Sequence, residues 1–578
     1  MAELKRRNVF RMAMLYAIAA WLIMQVADVL KDPASLPDWI GPAILALLAV
    51  GFPIALIFSW FYEITPEGIS LEKEVDRKVS ITHITGRRLD FFVISLLCAA
   101  IIMFAFDKWW ISEPPQQSIA VLPFVNMSDD DSNEYFSDGI SEELLNLLTK
   151  FPKLRVISRS SAFSYKGKQI DIPTIGEQLN VAHVLEGSVR RDGNQVRIAA
   201  QLIDARSDTH LWSEIYDRTL DDIFATQDEI AARVVEQLKV TLLGDAPTVQ
   251  TTEPEAYSLV LQARYLGRQL TPDTLEKAIA LFEQALTIDP DYAAAWTGLA
   301  LAYTSQASFG LRPFDDGYTL AREMANQALA VDPAYAPAYS NLASIAQDYD
   351  RDFVAAARHY ERALSIEPAN TDIISSAATM AASLGRLDQA IALAEYTADR
   401  DPVSPVHNGN LGLNYLFAGR LDEAIASLRT TLTLSPGYIG AQYLIGMALL
   451  LKGEPESALA AMQKEADEGW RLIGRVSAHH LLGQAAASDT ALVKLIEKFE
   501  KEWAYNIAYV LAFRGEADRA FEWLNKAVAY KDPGLAYIAV DLRFANIQSD
   551  PRWLPFLESI GKSPAQLAAI EFKVTLPE

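Results

Sequence analysis

The feature that most constrains this 578-residue chain is a proline that recurs about every 34 residues in its second half. An alanine stands twelve residues before each proline. Such a period is typical of stacked helical hairpins, none of which can bury its apolar face alone. We expect the alanine where the two helices cross closely, and the proline where the second helix ends. The pairs are Ala278 and Pro290, Ala321 and Pro333, Ala356 and Pro368, Ala390 and Pro402, and Ala424 and Pro436.

The same pattern extends the array of hairpins in both directions. Leu259–Pro290 is the first repeat, residues 437–470 carry Ala458 in the alanine position, and Tyr505–Pro533 carries Ala520 there. The pattern therefore predicts about seven repeats. Val476–Lys501 is helical in pattern but out of register with the others, so the pattern leaves its assignment open.

Two segments depart from the regular spacing. The interval between Pro290 and Pro333 is 43 residues, and we expect the excess in an extended loop at Ser305–Gly317, which contains two glycines and a proline. Asp532–Gly561, rich in proline, tryptophan and phenylalanine, is expected to cap the open end of the stack.

Three apolar stretches near the amino terminus predict a membrane module at residues 1–112. Trp39–Tyr62 has 24 residues without a charge, enough for a helix across a hydrocarbon core of about 30 Å. Met12–Val26 and Phe91–Phe106 are shorter, and each can span if the charged residues at its ends snorkel.

The positive charges of the short loops predict the orientation of these spans. Nine lysines and arginines precede the first span or lie between the second and third, against two in the other loops. We therefore expect an inner-membrane protein with a cytoplasmic amino terminus and a periplasmic part after residue 112. About ten residues precede the first span, so no cyclase domain is expected there.

Charge and cysteine content narrow the class of partner further. The formal net charge of −23 falls on the part after residue 112, which argues against nucleic acid as a partner. The only cysteine, Cys98, lies within the third predicted span, so no disulfide is expected.

The middle of the chain predicts a compact α+β domain. Residues 113–117 form a short proline-containing linker, and residues 118–245 alternate strand and helix patterns in the order βαβαβββα. Asp192-Gly193 between two alternating runs predicts a hairpin. The expected elements are strands at Ser118–Phe124, Leu154–Arg159, His183–Arg190, Gln195–Leu202 and Thr209–Tyr216, and helices at Asp138–Leu148, Pro173–Asn180 and Asp221–Leu243.

Several stretches resemble a bacterial family in which a membrane segment, a domain similar to the TolB amino-terminal domain and tetratricopeptide repeats follow one another. The stretches in the α+β domain are Ser118–Phe124, Tyr135–Ile140, Val184–Val189 and Leu211–Arg218. Those in the membrane module are Glu3–Phe10, Leu36–Trp39 and Thr65–Gly68. The resemblance implies a mostly α-helical protein with three transmembrane helices, the small α+β domain, and a tetratricopeptide solenoid with its cap at residues 255–578. Relatives can carry a class III adenylate cyclase or a winged-helix domain before the membrane segment, and neither is expected here, because only about ten residues precede the first predicted span.

No motif predicts catalysis, a metal site or a cofactor, so we expect a non-enzymatic protein without cofactors. A calcium loop beginning at Asp129 fails, because its sixth and twelfth positions are Glu134 and Ile140. Arg190 and Arg191 could grip an anion, with a solvated strand end as the alternative. His479 and His480 point about 100° apart on a helix and are expected to be solvated.

Binding is expected in the concave groove that the first helices of successive repeats line. An amide there could hydrogen-bond an extended peptide, and Asn341 and Asn410 occupy equivalent positions. We expect a scaffold or sensor that binds a periplasmic protein, peptide or envelope component. The alternative is a transmembrane signalling subunit that regulates a cytoplasmic enzyme, such as a nucleotide cyclase, through the loop Lys73–Arg88. The residues predicted to face the groove or its rim are Thr297, Thr304, Ser340, Asn341, Ser344, Gln347, Asn410 and Gln442.

Overall fold

The computed structural model describes isolated residues between 13 and 53, and residues 62–65, 68–71, 117–151, 153–238 and 251–577. Met1–Glu113 and Pro114–Glu578 form two compact units. In the first, β1 (Tyr62–Thr65) pairs antiparallel with β2 (Gly68–Leu71). The predicted spans fall largely outside the described residues, and the third, Phe91–Phe106, falls wholly outside them. Within what is described, no helix combines the length and apolar character needed to cross a bilayer.

The second unit begins with the α+β domain, whose sheet has the strand order β5-β3-β6-β7-β8. β3 is parallel to both of its neighbours, and β6, β7 and β8 form an antiparallel meander. The core of β3 is fully buried, as expected for the centre of a parallel group. The strands are β3 (Ser118–Val121), β4 (Val125–Asn126, paired with β6), β5 (Arg155–Val156), β6 (His183–Asp192), β7 (Gln195–Asp204) and β8 (Thr209–Thr219).

The three predicted helices occur with changed boundaries, and a further short helix, Arg159–Phe163, was not predicted. The first begins four residues before Asp138, and the predicted strand Leu154–Arg159 is shortened because Ser158 starts a helix. Asp192 pairs with Gln195 across the predicted hairpin. The helices are α1 (Glu134–Thr149), α2 (Arg159–Phe163), α3 (Ile172–Gln178) and α4 (Ile223–Gln237), with short 3-10 turns at Asp131–Asn133 and Leu220–Asp222.

The solenoid contains eight helical hairpins within the described residues, one more than predicted. The additional hairpin is Glu468–Leu481 with Ala485–Phe499, and it contains most of Val476–Lys501, whose assignment the sequence pattern left open. All five alanines of the repeat pattern are completely buried, which confirms their position at helix crossings. The hairpins are Pro254–Gly267 with Pro272–Ile288, Ala293–Ser308 with Phe314–Val331, Ala336–Ile345 with Phe353–Ile366, Thr371–Ser383 with Leu387–Arg400, Pro405–Phe417 with Leu421–Leu434, Ala441–Leu451 with Pro455–Met462, Glu468–Leu481 with Ala485–Phe499, and Ala504–Phe513 with Ala517–Ala529, numbered repeats 1 to 8.

The extended loop predicted at Ser305–Gly317 is wrong. The first helix of repeat 2 continues to Ser308 and the second begins at Phe314, so the extra residues lengthen both helices. Gly317 allows the two helices of repeat 2 to pack closely, because a Cβ at this position would lie 2.6 Å from the Cβ of Ala307 on the facing helix. In repeat 3 the first helix continues as a π-helical turn, Ala346–Asp350.

The segment predicted to cap the open end of the stack packs on the last helix of repeat 8, where the ring centres of Phe556 and Phe521 are 6.3 Å apart, and it also turns back along the stack. We call residues 533–577 the C-terminal segment. It contacts repeats 3, 4, 5, 6 and 8, and its Phe544 and Ile538 side chains are completely buried. Its elements are 3-10 turns at Pro533–Tyr537 and Leu542–Ile547 and helices at Trp553–Ser559 and Pro564–Ala568.

Candidate functional site: the groove and the domain interface

The two equivalent asparagines predicted to bind a peptide hold neighbouring repeats together. Asn341 Nδ2 donates to the carbonyl oxygen of Thr297, 3.3 Å away in repeat 2. Asn410 Nδ2 lies 3.4 Å from Ser375 Oγ in repeat 4. One amide hydrogen-bond donor of each is therefore used inside the stack.

The other predicted groove residues are spread over repeats 2, 3 and 6. Thr297 is buried, and its hydroxyl donates to its own helix. Ser344 Oγ lies 3.1 Å from Tyr360 Oη. Gln347 is buried and donates to Asp348 Oδ1, 3.2 Å away. Thr304, Ser340 and Gln442 are half-buried, and Thr304 donates to its own helix.

The C-terminal segment occupies part of the groove through a buried polar network. The Arg543 guanidinium bonds Asp541, donates to Tyr443 Oη at 2.9 Å, and lies 3.8 Å from the ring centre of Tyr509. Tyr505 Oη donates to Asp541 Oδ2 at 2.6 Å. These tyrosines belong to repeats 6 and 8, so the network fixes the segment against two separate first helices.

A buried lysine provides a second attachment of the C-terminal segment. Lys562 Nζ donates to the carbonyl oxygens of Ser383 at 3.0 Å and Ala536 at 2.8 Å, and lies 3.4 Å from the ring centre of Phe353. Burial, together with the charge of Arg351, lowers the pKa of Lys562 to about 7. Arg386 in repeat 4 donates to the carbonyls of Ile570 and Phe572, further along the segment.

A small cavity of about 20 Å³ remains between repeat 3 and this segment. Its lining includes Gln347, whose Oε1 lacks a hydrogen-bond partner among the described residues, and Arg351, which has a left-handed backbone with φ of 58°. A space of this size accommodates about one water molecule.

Buried ion pairs join the α+β domain to repeat 1. Glu142 on α1 accepts from Arg159 Nε at 2.8 Å and is also bonded to Arg268. Burial alone would raise the pKa of Glu142, but Arg268 and Arg264 hold it below the usual value. Arg264 also pairs with Glu143 at 2.6 Å.

A second contact joins the α+β domain to the end of repeat 4 and the turn that follows it. Arg155 donates to the carbonyl of Asp399, and burial lowers the pKa of Arg155 to about 10. Ser158 donates to Asp401, which is completely buried and lies 3.4 Å from Nδ1 of His407. The domain is thus held at two places on the solenoid that are more than 100 residues apart in sequence.

The polar features singled out in the sequence have structural roles. Arg191 donates to Tyr135 Oη at 3.2 Å and Ser258 Oγ at 3.0 Å, so it contributes to the contact with repeat 1. Arg190 is exposed and lies 3.5 Å from Asp129. His479 Nδ1 is hydrogen-bonded to Gln484 Oε1 at 2.7 Å. Within the described ranges no three metal-ligating side chains come together.

Sequence signals for these contacts were weak. Asp138, Glu142 and Glu143 lie more than one turn inside α1, where they face Lys166 and the arginines of repeat 1. A pair of arginines four residues apart, Arg264 and Arg268, was the available signal.

Comparison with known families identifies both parts of the second unit. Residues 115–233 match the second domain of HilA/YgeH-like transcriptional regulators. Residues 274–306 and 410–471 match tetratricopeptide repeat models, which confirms the predicted repeat type. The resemblance to the TolB amino-terminal domain stays a prediction.

A protein of Rhizobium meliloti (strain 1021) named "Putative adenylate cyclase 3" is 44% identical over 199 residues, which cover 33% of this chain and 34% of that protein. The chain thus matches about a third of the length of this relative. Among solved structures, the type IV pilus biogenesis factor PilW is 22% identical, with 37% of this chain and 98% of PilW covered and a TM-score of 0.31. A tetratricopeptide repeat protein of Thermus thermophilus is 23% identical, with 34% and 99% covered and a TM-score of 0.28. The chain therefore combines a HilA/YgeH-like regulator domain with a tetratricopeptide solenoid.

Proposed function

We propose that this protein is a non-catalytic signalling subunit anchored in the inner membrane. Its tetratricopeptide repeats bind a protein partner, and its α+β domain passes the bound state through the membrane module to a cytoplasmic enzyme such as a nucleotide cyclase. A scaffold that only holds a periplasmic partner is the competing function. The matches to a transcriptional regulator and to a protein named as an adenylate cyclase favour signalling, because both names describe regulated outputs.

The observation that carries this proposal is the double attachment of the α+β domain to the solenoid. Glu142 and Glu143 bind arginines of repeat 1, while Arg155 and Ser158 bind the turn before repeat 5. A partner that changes the spacing of these repeats changes the geometry of both contacts. Each contact includes a buried carboxylate, Glu142 or Asp401, whose loss of partners would be costly, so movement in the repeats is transmitted to the domain.

The partner is proposed to bind repeat 2 and the first helix of repeat 3 at Ser340. The C-terminal segment contacts repeats 3, 4, 5, 6 and 8, and it meets repeat 3 at Phe353, whereas repeat 2 has large apolar side chains in solvent. Leu301 is 61% exposed and Phe309 is 56% exposed. Exposed apolar side chains near half-buried polar ones, here Thr304 and Ser340, are typical of a protein contact surface.

The direction of signalling follows from the proposed topology. With three spans and a cytoplasmic amino terminus, residues 73–88 form the cytoplasmic loop that contacts the enzyme. The periplasmic solenoid then receives the input.

The test is complementation of a deletion strain in the native host, with cyclic nucleotide measured during growth. The full chain is compared with a variant in which residues 73–88 are scrambled at constant composition. A transducer loses the cyclic-nucleotide response and keeps its abundance and its partner cross-links. If the scrambled variant restores the response, the signalling function is wrong. If neither the deletion nor the variant alters cyclic nucleotide, the scaffold function is favoured.

A further inference from the structure

An open pocket lies where repeat 1 ends and repeat 2 begins, beside the end of the second helix of repeat 2. Its lining includes the aromatic side chain of Trp296 and two acidic residues, Asp291 and Asp332. Asp291 is exposed, and the other two are half-buried. Asp332 accepts one hydrogen bond, from the backbone N–H of Ala334, and among the described residues no cation pairs with either carboxylate. Both negative charges are therefore left unneutralised at the pocket.

The end of the second helix of repeat 2 adds partial negative charge at the same place. This helix ends at Val331, which also lines the pocket. The carbonyl of Leu329 lacks the usual backbone donor four residues on, because that residue is Pro333. Carbonyl groups at the C-terminal end of a helix favour a cation. An aromatic ring attracts a cation as well, so the whole lining suits a positively charged group.

The equivalent positions of repeat 3 are occupied by an arginine of the chain itself. Trp296 is equivalent to Tyr339, because each donates a hydrogen bond to the carbonyl of the proline six residues before it, at 2.8 Å and 3.1 Å. The guanidinium of Arg362 lies over the ring of Tyr339, with Cζ 5.7 Å from the ring centre. Counted from the buried alanine of each repeat, the residue of repeat 2 equivalent to Arg362 is Gln327. Gln327 lines the pocket and carries no charge.

The acidic residues differ between the two repeats in the complementary sense. Asp332 is equivalent to Glu367 of repeat 3, whereas Asp291 is equivalent to Ala334. Repeat 3 thus has one acidic residue and its own arginine at these positions, and repeat 2 has two acidic residues and no cation. The lost cation and the added carboxylate both favour an arginine supplied from outside the chain.

We propose that this pocket of repeat 2 binds an arginine side chain of a protein partner, with the guanidinium over the Trp296 ring and bonded to Asp291 and Asp332. Arginine is favoured over lysine because a planar guanidinium stacks on an aromatic ring and donates to two carboxylates at once. That the arginine belongs to a protein rests on the function proposed above. The pocket itself can be tested without that protein.

Fluorine NMR of the full-length protein in detergent tests the pocket directly. The tryptophans are replaced with fluorotryptophan, and the signal of Trp296 is assigned by its loss in Trp296→Phe. The protein is titrated with N-acetyl-arginine methylamide, and the corresponding citrulline derivative, which has a similar shape without the charge, is the matched ligand. We expect the Trp296 signal to move and saturate with the arginine derivative at millimolar concentrations, and to stay in place with the citrulline derivative.

Two variants test the charge pattern of the pocket. Gln327→Arg supplies repeat 2 with the arginine that repeat 3 already has, and Asp291→Asn combined with Asp332→Asn removes both negative charges. Each should weaken binding of the arginine derivative by about fivefold or more. Asp316→Asn is the control, because it removes an exposed carboxylate near the start of the same helix and should leave binding unchanged.

Equal responses to the arginine and citrulline derivatives, or undiminished binding by Gln327→Arg, would overturn the proposal. The ligand comparison uses the unaltered sequence, so it decides the matter even if a variant fails to fold. A failed titration leaves the signalling function in place, because the cyclic-nucleotide test does not involve the pocket. Conversely, a scrambled loop that restores the cyclic-nucleotide response rejects the signalling function and leaves the arginine pocket in place.

Discussion

Lys562 illustrates how one buried group can tie a segment to the solenoid. This lysine is 2% exposed, and its ammonium group donates to two carbonyl oxygens of different elements. Burial opposes the charged form, so the pKa of this lysine falls from 10.5 to about 7. The folded chain therefore releases this proton at a pH where the unfolded chain still holds it.

The free energy of unfolding is expected to rise with pH between about 7 and 10.5 because of Lys562. The unfolded state binds more protons in this window, which makes the slope positive, at most about 1.4 kcal/mol per pH unit. The urea concentration at the midpoint of unfolding, determined at pH 7.5 and at pH 9.5, measures this rise in stability. Lys562→Met removes the titrating group, so its midpoint should change less between the two pH values. Equal changes in the variant and the wild type would contradict the shifted pKa.

Glu142 is expected to stabilise the contact between the α+β domain and repeat 1. Glu142→Gln leaves Arg159 and Arg268 without their carboxylate and should lower the free energy of unfolding by about 3 to 5 kcal/mol. Because the pKa of Glu142 is lowered, its contribution is present above the usual pKa of 4.5 and is lost as the pH falls through the folded value. Urea unfolding at pH 7 measures the effect.

The control for this variant is Glu177→Gln, which neutralises an exposed carboxylate on α3. It should change the free energy of unfolding by less than about 0.5 kcal/mol. If both variants behave alike, the ion pairs of Glu142 do not stabilise the domain contact.

At the scale of helices and strands, the sequence predicted correctly those features that depend on residues close together in the chain. The alternating runs around Asp192-Gly193 gave the hairpin, and the alanine and proline positions gave five repeats with correct helix ends. The loop predicted around Gly317 and the unpredicted return of the C-terminal segment along the stack have one cause. Both segments contain turn-forming residues, and such residues also occur where backbones pack closely. Whether they form a turn or a packing contact depends on helices that are distant in sequence.

Gly317→Ala tests the packing role of the glycine that the sequence placed in a loop. The added Cβ would meet the Ala307 Cβ at 2.6 Å and the Tyr303 carbonyl oxygen at 3.0 Å, so we expect a loss of about 1 to 3 kcal/mol. Thermal unfolding measures the loss. Gly437→Ala is the matched control, because a Cβ there has nothing within 4 Å. If Gly317→Ala is as stable as Gly437→Ala, the glycine has no packing role and the predicted loop is supported.

At the scale of the whole molecule, two sets of long-range contacts in the second unit join repeats that are not neighbours in the solenoid. The α+β domain connects repeat 1 with the end of repeat 4 and the turn after it, and the C-terminal segment connects repeats 3, 4, 5, 6 and 8. A solenoid held only by neighbouring repeats can open anywhere along its length. None of these contacts involves repeat 2, which is where a partner is proposed to bind.

The proposed sidedness of the membrane module predicts where the carboxyl terminus lies. Nine cations flank the cytoplasmic side of the proposed spans and two flank the other, so residues after 112 should be exported. Alkaline phosphatase, which is active only outside the cytoplasm, should be active when fused after residue 578, whereas a fusion within residues 73–88 should be inactive. Replacing the five cations of that loop with glutamine should reduce the difference, because the charge bias would then be four to two. Activity confined to the loop fusion would place the solenoid in the cytoplasm, where it could contact a cyclase directly without any signal crossing the membrane.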